Sequence, residues 1–458
     1  MTDRRTHDWA GLRKSLTGEL LLRDEPGYDA VRRPAIENFA EVRPLAVLRC
    51  ATADDAATAA AWTSGEGLPV AVRSGGHCFA GTSTTEGLVI DVTPLNAVDV
   101  HGARVRIGAG ARLGPVYDQL AEHGLTLPAG CGPTVGISGL TLGGGLGILG
   151  RMYGVLSDRL VGAEIALADG RVVTCDESHE PDLFWLLRGG GGPGVVTMLE
   201  FEAVPGRDGT GFHLRWPASA AAAVILAWQE WAPGTVDEMA ASLLVSLGGE
   251  RGRSPVVSLF GAFTGSSAAC RAAIDDLLAV VDVAPEAAIY QHGGHREIKR
   301  FLNQLEVHGP GAPEPAGFMY CASEFFARPI SADAVQELVT GLGIGRAPGE
   351  LRELDFMPWG GAYTRVRPDA TAFAHRNGRF LLKHGLIGPP TGQHGGRAWL
   401  RRSWTLVHPW GTGGCYQNFP DPGLGDAADG HYYGGNAARV HQIRKRFDPN
   451  GTFSRAVV

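Results

Sequence analysis

The chain has 458 residues, 44% of them apolar, with a formal net charge of −7. That length suits two to three domains with a sizeable core, and the acidic balance argues against nucleic acid or an anionic membrane as partner. The longest apolar run, Ala220 to Trp228, is too short to span a bilayer and Met1 to Leu20 lacks a signal-type apolar core, so a cytoplasmic protein is expected.

In chain order, Thr52 to Ser64 reads as an Ala-rich helix with a capping threonine and early Asp54 and Asp55. Pro69 to Arg73, Gly87 to Val92 and Arg104 to Ile107 read as strands, and Leu113 to His123 as a helix, giving an α+β or α/β layer. Between Pro128 and Gly154 stand ten glycines (130, 132, 136, 139, 143, 144, 145, 147, 150 and 154), too many for a packed helix or strand. Such a segment lets backbone amides approach a large anionic ligand. Val161 to Ala168 and Arg171 to Cys175 flank the turn dipeptide Asp169-Gly170 as a hairpin. Pro181 to Leu187 is a short helix opened by proline, and Gly194 to Val204 a long strand behind the cluster Gly189 to Gly192. After Pro205-Gly206 the texture changes to amphipathic segments (Ala218 to Trp231, Ser266 to Val281) alternating with apolar strands such as Val256 to Phe263, which marks a domain boundary. The tail carries Tyr432 to Asn436 and a helix, Ala437 to Arg446, ended by Asp448-Pro449-Asn450-Gly451.

Gly145-Leu146-Gly147-Ile148-Leu149-Gly150 matches GxGxxG, but a nicotinamide fingerprint needs a strand before it and a helix after it, and both flanks are broken by glycine. No GxxxxGK[ST] is present, which leaves a nucleotide hydrolase without its lysine. His292 and His295 lack a plausible third ligand, so no metal is expected. The seven cysteines are odd in number and scattered, which suggests reduced thiols.

Four ordered motifs remain: Arg73-Ser74-Gly75-Gly76-His77-Cys78; the Pro128 to Gly154 run; Asp182 to Gly192 with Gly194 to Thr197; and Tyr432 to Asn436 with Arg446 to Asn450. Together they resemble the berberine-bridge-enzyme-like FAD-linked oxidases of the vanillyl-alcohol-oxidase superfamily, from about Pro44 to Phe453. The resemblance implies an α+β fold: a PCMH-type FAD-binding domain of two α+β subdomains made from both chain ends (1–205 and 420–458), with an inserted substrate domain (206–419) of antiparallel sheet covered by helices. It implies FAD joined covalently to His77, which raises the flavin's reduction potential and prevents its loss. It sets Arg73, Ser74, Gly75, Gly76, Gly132, Thr134, Gly136, Gly139, Gly144, Gly145, Gly147, Val195, Val196, Tyr433 and Asn436 around the cofactor.

Bicovalent members add a cysteine bond in a pattern like PAG-x-C-PTVG. Here Gly132 occupies the cysteine position and Cys131 lies one residue early, so a second link needs a local bulge in the loop. Alcohol oxidation needs a base beside the flavin, and many members use the second tyrosine of a Tyr-x-Asn-Tyr strand. Cys415-Tyr416-Gln417-Asn418-Phe419 places Phe419 there, and phenylalanine accepts no proton. Tyr416 would need a cationic neighbour to act, and Lys383 or His384, on a strand that the resemblance sets beside the flavin, are the other candidates. The expected activity is oxidation of a small molecule, a natural-product intermediate before a sugar, with molecular oxygen as acceptor. The rivals are a dehydrogenase using another acceptor and a flavin carrier without turnover. Trp359, Trp404 and Trp410 would either stack on a sugar or belong to the core.

Overall fold

The acidic partner of the capping threonine in the first long helix also anchors the segment before the first strand. Residues 7–248, 254–309, 317–389 and 393–453 are described by the structure, a computed structural model; the ends at 1–6 and 454–458 lie outside them, as do the side chains of 393 and 394. Helix Ala53–Glu66 starts at Thr52, whose hydroxyl accepts from Asp55 N, and stops at Gly67 in the left-handed region (φ 66°). The buried Asp55 carboxylate accepts from the amides of Thr17, Gly18, Ala51 and Thr52, which hold it well ionised against burial and tie the N-terminal strand to the helix.

Two small sheets follow. The first runs Glu19–Leu22, Ala46–Arg49, Leu88–Asp91, Val70–Arg73, with its last three strands parallel. The second is antiparallel, in the order Val98–His101, Arg104–Gly108, Gly194–Glu202, Leu160–Leu167, Val172–Cys175. One core joins both, and the tail enters it through Tyr432, Val440, Ile443 and Phe447. Helix Ala437–Phe447 is tied to helix Pro181–Leu187 by Arg439–Asp182 (3.0 Å), and Thr452 Oγ1 donates to Ser64 Oγ (3.2 Å). Both chain ends therefore build this α+β part.

The chain leaves it through a short ladder, Leu125–Thr126 with Val204–Pro205, and enters a seven-stranded antiparallel sheet at Gly209. Its order is Ala287–Gly293, Gly209–Trp216, Val256–Phe263, Met239–Leu247, Leu351–Pro358, Phe380–Gly388, Phe318–Phe326. Alternation divides the sheet. Leu214, Leu259, Leu243, Leu354, Phe356 and Leu382 pack under helices Ala221–Gly234, Ser267–Val281, Ala332–Gly341 and Gln393–Val407. The opposite face carries His213, Ser258, Ser242, Asp355 and Lys383, of which Ser242 and Asp355 face the glycine loops. No helix among the described residues is long and apolar enough to cross a membrane.

Residues 415–419 form a turn where the sequence reads as a strand. Thr412 and Gly414 bond to Phe325 at the sheet edge, Cys415 N then turns to His431 O, and Phe419 N closes on Tyr416 O (2.9 Å). Tyr416 N then donates to the side chain of Ser323 (3.1 Å) on the edge strand rather than to its backbone.

Candidate active site

Arg73 ends its strand with a buried guanidinium bound to Asp91 (2.9 Å) and to the carbonyls of Val31 and Arg32. Its side chain is thus spent on Asp91 and the Val31–Arg32 segment and is not left for a ligand. Gly75 and Gly136 meet face to face: a Cβ on Gly75 would lie 2.3 Å from Gly136 N, so the turn and the glycine-rich loop form one continuous floor only as glycines. Thr134 Oγ1 lies 3.1 Å from His77 Nε2. Burial, then the charge of Arg112, lowers His77 from its ordinary value, which keeps a neutral, nucleophilic imidazole at pH 7.

A groove crosses this floor, lined by Ser74, Gly139, Val196, Gln417, Asn418 and Tyr433 among others. At Gly139 the Cβ direction is empty, so any side chain would project into open space there. Gln417 Oε1 is buried in the wall without a hydrogen-bond partner while its Nε2 donates to Gly189 O (3.0 Å). Not every expected cofactor residue faces the groove. Gly144 and Gly145, both at positive φ, turn toward protein, where a Cβ would strike the Phe373 ring or Leu156 Cβ. Gly132 is crowded by Val135, Val195 is fully buried beneath the groove, and Gly76 packs against Ala35. Asn436 instead donates to Pro368 O (2.7 Å) and Thr371 O (3.1 Å) and lines another cleft.

Beside the groove lies a cavity of about 300 Å³, bounded by Gly130, Cys131, Gly147 and Ile148 on the loop side and by Ser242, Phe260, Asp355 and Met357 on the sheet side. Trp359, stacked on Tyr363 with centroids 3.9 Å apart, and Phe419 complete it. Tyr416 stands behind Phe419 (5.0 Å, edge-on), its hydroxyl accepting from Gly145 N (3.1 Å) and Asn418 Nδ2 (2.9 Å). Burial outweighs these donors and pushes its pKa up to about 12, so the phenol stays protonated and pins the Gly145 turn. Lys383 contacts Asp355 Oδ2 (3.1 Å) and Glu353 Oε2 (3.6 Å). Burial disfavours its charge, yet the two carboxylates more than offset this and raise its pKa, so it is held as an ammonium and is no base. His384 alternates to the helix face, fully buried, with Nδ1 2.8 Å from Ser403 Oγ and its pKa driven to about 3 by burial. A one-residue step along a strand thus separates Lys383 from His384 by the thickness of the sheet.

Asp355 was not legible as a candidate from sequence. Its Oδ1 is buried without a partner, as is Trp359 Nε1, and both residues line the cavity. Trp404 is instead a core residue donating to Ser323 O (3.3 Å), and Trp410 packs at the core's edge.

Residues 44–176, which hold the turn at His77 and all of the glycine-rich loop, match the model of an FAD binding domain, and 415–456 match that of berberine and berberine-like proteins. The chain is 31% identical over 450 residues to the uncharacterized FAD-linked oxidoreductase YgaK of Bacillus subtilis (strain 168), covering 96% of each. The chain belongs to the berberine-bridge-enzyme-like FAD-linked oxidoreductases. It is also 30% identical over 447 residues to a xylooligosaccharide oxidase of Thermothelomyces thermophilus, covering 90% of this chain and 86% of that one. The solved structure of BBE-like 1 of Physcomitrella patens superposes with a TM-score of 0.86 at 22% identity, covering 96% of each chain, which fixes the fold.

The groove fits the FAD of this family: an orphaned Gln417 acceptor, the side-chain-free Gly139 and the paired glycines of the floor leave polar backbone open where a Cβ would block it.

Proposed function

We propose that this FAD-linked oxidoreductase oxidises a compact, mainly apolar molecule bearing one hydrogen-bond donor and one acceptor, passes the electrons to oxygen, and holds its FAD covalently through His77. The carrying observation is the cavity's lining: Leu146, Ile148, Phe260, Met357 and Phe419 are apolar, while Asp355 Oδ1, Trp359 Nε1 and Arg151 Nε are the unpartnered buried polar atoms among its described residues. An oligosaccharide would bury many hydroxyls against such walls with too few partners, at a cost of about 1–3 kcal/mol for each one left unsatisfied. The FAD, when bound, accepts a hydride equivalent from the substrate carbon and gives its electrons to oxygen as hydrogen peroxide.

The chain's own groups do the rest. Lys383 holds Asp355 through Oδ2, leaving Oδ1 to take the proton from the substrate's hydroxyl or amine. Trp359 Nε1 donates to the substrate's acceptor and sets its orientation. Arg151, whose two terminal guanidinium nitrogens donate to the carbonyls of Thr235 (2.6 Å), Pro233 and Trp359, braces the tryptophan. Neutral His77 is the nucleophile for flavin attachment, and Cys131, in the cavity wall, is the candidate for a second link.

Anaerobic mixing of the holoprotein with aromatic alcohols and amines, beside xylobiose, tests the reading. Bleaching of the flavin by an aromatic substrate supports it, and bleaching by xylobiose alone overturns the substrate class. A proteolytic digest tests the linkage: flavin mass must appear on the peptide containing His77.

A further inference from the structure

We infer that Lys299 makes the cavity wall at Gly130–Cys131 proton-sensitive: docking the middle segment onto this loop takes an ammonium out of water, and losing its proton tightens the wall. Lys299 lies on helix His295–Asn303. Its Nζ donates to Ala129 O (2.9 Å) and Gly130 O (3.3 Å) and sits 3.7 Å from the centroid of the Tyr117 ring. Tyr117, on helix Leu113–Glu122, donates its hydroxyl to the same Gly130 carbonyl (2.6 Å). The wall residues Gly130 and Cys131 are therefore wedged between one helix of the flavin-binding part and one of the inserted part.

Lys299 is 4% exposed, and among the described residues no carboxylate pairs with it. Among the described residues, two carbonyls and an aromatic face compensate it for lost water. Burial lowers its pKa to about 8, against a weaker opposing influence of Cys131. The other titratable groups facing it are accounted for. Tyr117 and Cys131 are both raised by burial, and His295, one turn away, is kept neutral with a pKa of about 3. Asp118 is occupied by Arg296 and Arg300.

The sign follows from linkage. Opening the wall hydrates Lys299 and restores a pKa of about 10.4, so between about pH 8 and that value the open state binds the extra proton and the closed state gains with rising pH. Near neutrality the ammonium remains buried at a cost, which places this wall at the easily opened end of the structure, beside the cavity.

Hydrogen exchange of the holoprotein, read on the peptide spanning 128–132 and corrected for intrinsic rates, tests this without any substrate. Protection should rise by up to about tenfold per pH unit above about pH 8. Lys299→Met should abolish the rise and leave protection high. Lys299→Arg, which keeps the donors and never deprotonates in this range, should abolish it and leave protection low; this variant decides the matter alone if the methionine variant does not fold. A flat wild-type profile, a rise surviving in either variant, or a rise lost in Cys131→Ser would overturn the inference. Failure of every substrate to bleach the flavin would leave it untouched.

Discussion

On the loop side of the cavity, Gly130, Cys131, Gly147 and Ile148 come from one short stretch of chain shaped by glycine backbone; on the sheet side, Ser242 and Phe260 come from two consecutive strands, and Asp355 and Met357 from a third about a hundred residues further on. The loop wall is specified by where a Cβ cannot be, as between Gly75 and Gly136. The sheet wall is specified by which alternate side chain faces inward. The first kind excludes added atoms at chosen points, as at Gly147, where a Cβ would lie 2.2 Å from Ala129 O, whereas the second exposes a chosen side chain at every other residue. Chemistry that needs a side-chain base therefore falls to the sheet, and cofactor holding falls to the loops.

The contrast breaks most sharply at the base. Asp355→Asn should slow flavin reduction by about 10²–10⁴-fold in anaerobic stopped flow, while Tyr416→Phe, behind Phe419, should cost less than about tenfold. A Tyr416→Phe defect as deep as that of Asp355→Asn would move proton transfer to the loop side. Next in size is the support beneath the loops. Arg376 and Asp158 form a buried pair (2.7 Å) between the segment after Phe373 and the turn at Val155, so Arg376→Met should lower stability by about 3–5 kcal/mol in urea titrations.

Acid provides a broader comparison. His384 and His295 stay neutral in the fold down to about pH 3, and His213 and His375 to about pH 4, each chiefly through burial. Unfolded imidazoles protonate near about 6.5, so below that value the unfolded state binds more protons and stability falls progressively as the pH drops toward 3 to 4. Above it these groups contribute no slope. His384→Leu should flatten part of this acid loss in thermal melts, cost about 1–2 kcal/mol at pH 7 through the abandoned Ser403 hydroxyl, and change flavin reduction by less than about twofold. A larger kinetic effect would mean that the helix face of the sheet communicates with the cavity.

Most of the flavin-binding half was legible in the sequence because its signals are local: Thr52 with Asp55, the Asp169-Gly170 hairpin, Pro181 at a helix start, and the glycine run all act within a few residues. The sheet wall was legible only as strands. Alternation distinguishes Lys383 from His384 but not which of the two faces the cavity, since that depends on which helices cover the other side. Asp355 gives no sequence signal, as an acid in an amphipathic strand reads as a solvated edge. Arg73, Gly144 and Asn436 fit the motif pattern yet are engaged with protein, because motif identity does not separate backbone approach to a ligand from backbone approach to a neighbour.

The contacts of Thr452 with Ser64 and of Arg439 with Asp182 have a consequence for biosynthesis. Translation proceeds from the N-terminus at about 5–20 residues per second, so roughly 12 to 50 seconds separate the emergence of residue 205 from that of residue 447. Throughout that interval the nascent flavin-binding core lacks Val440, Ile443 and Phe447. A ribosome that stalls in the seven-stranded sheet releases a chain with its core unsealed, a substrate for chaperones and proteases rather than a partly active enzyme.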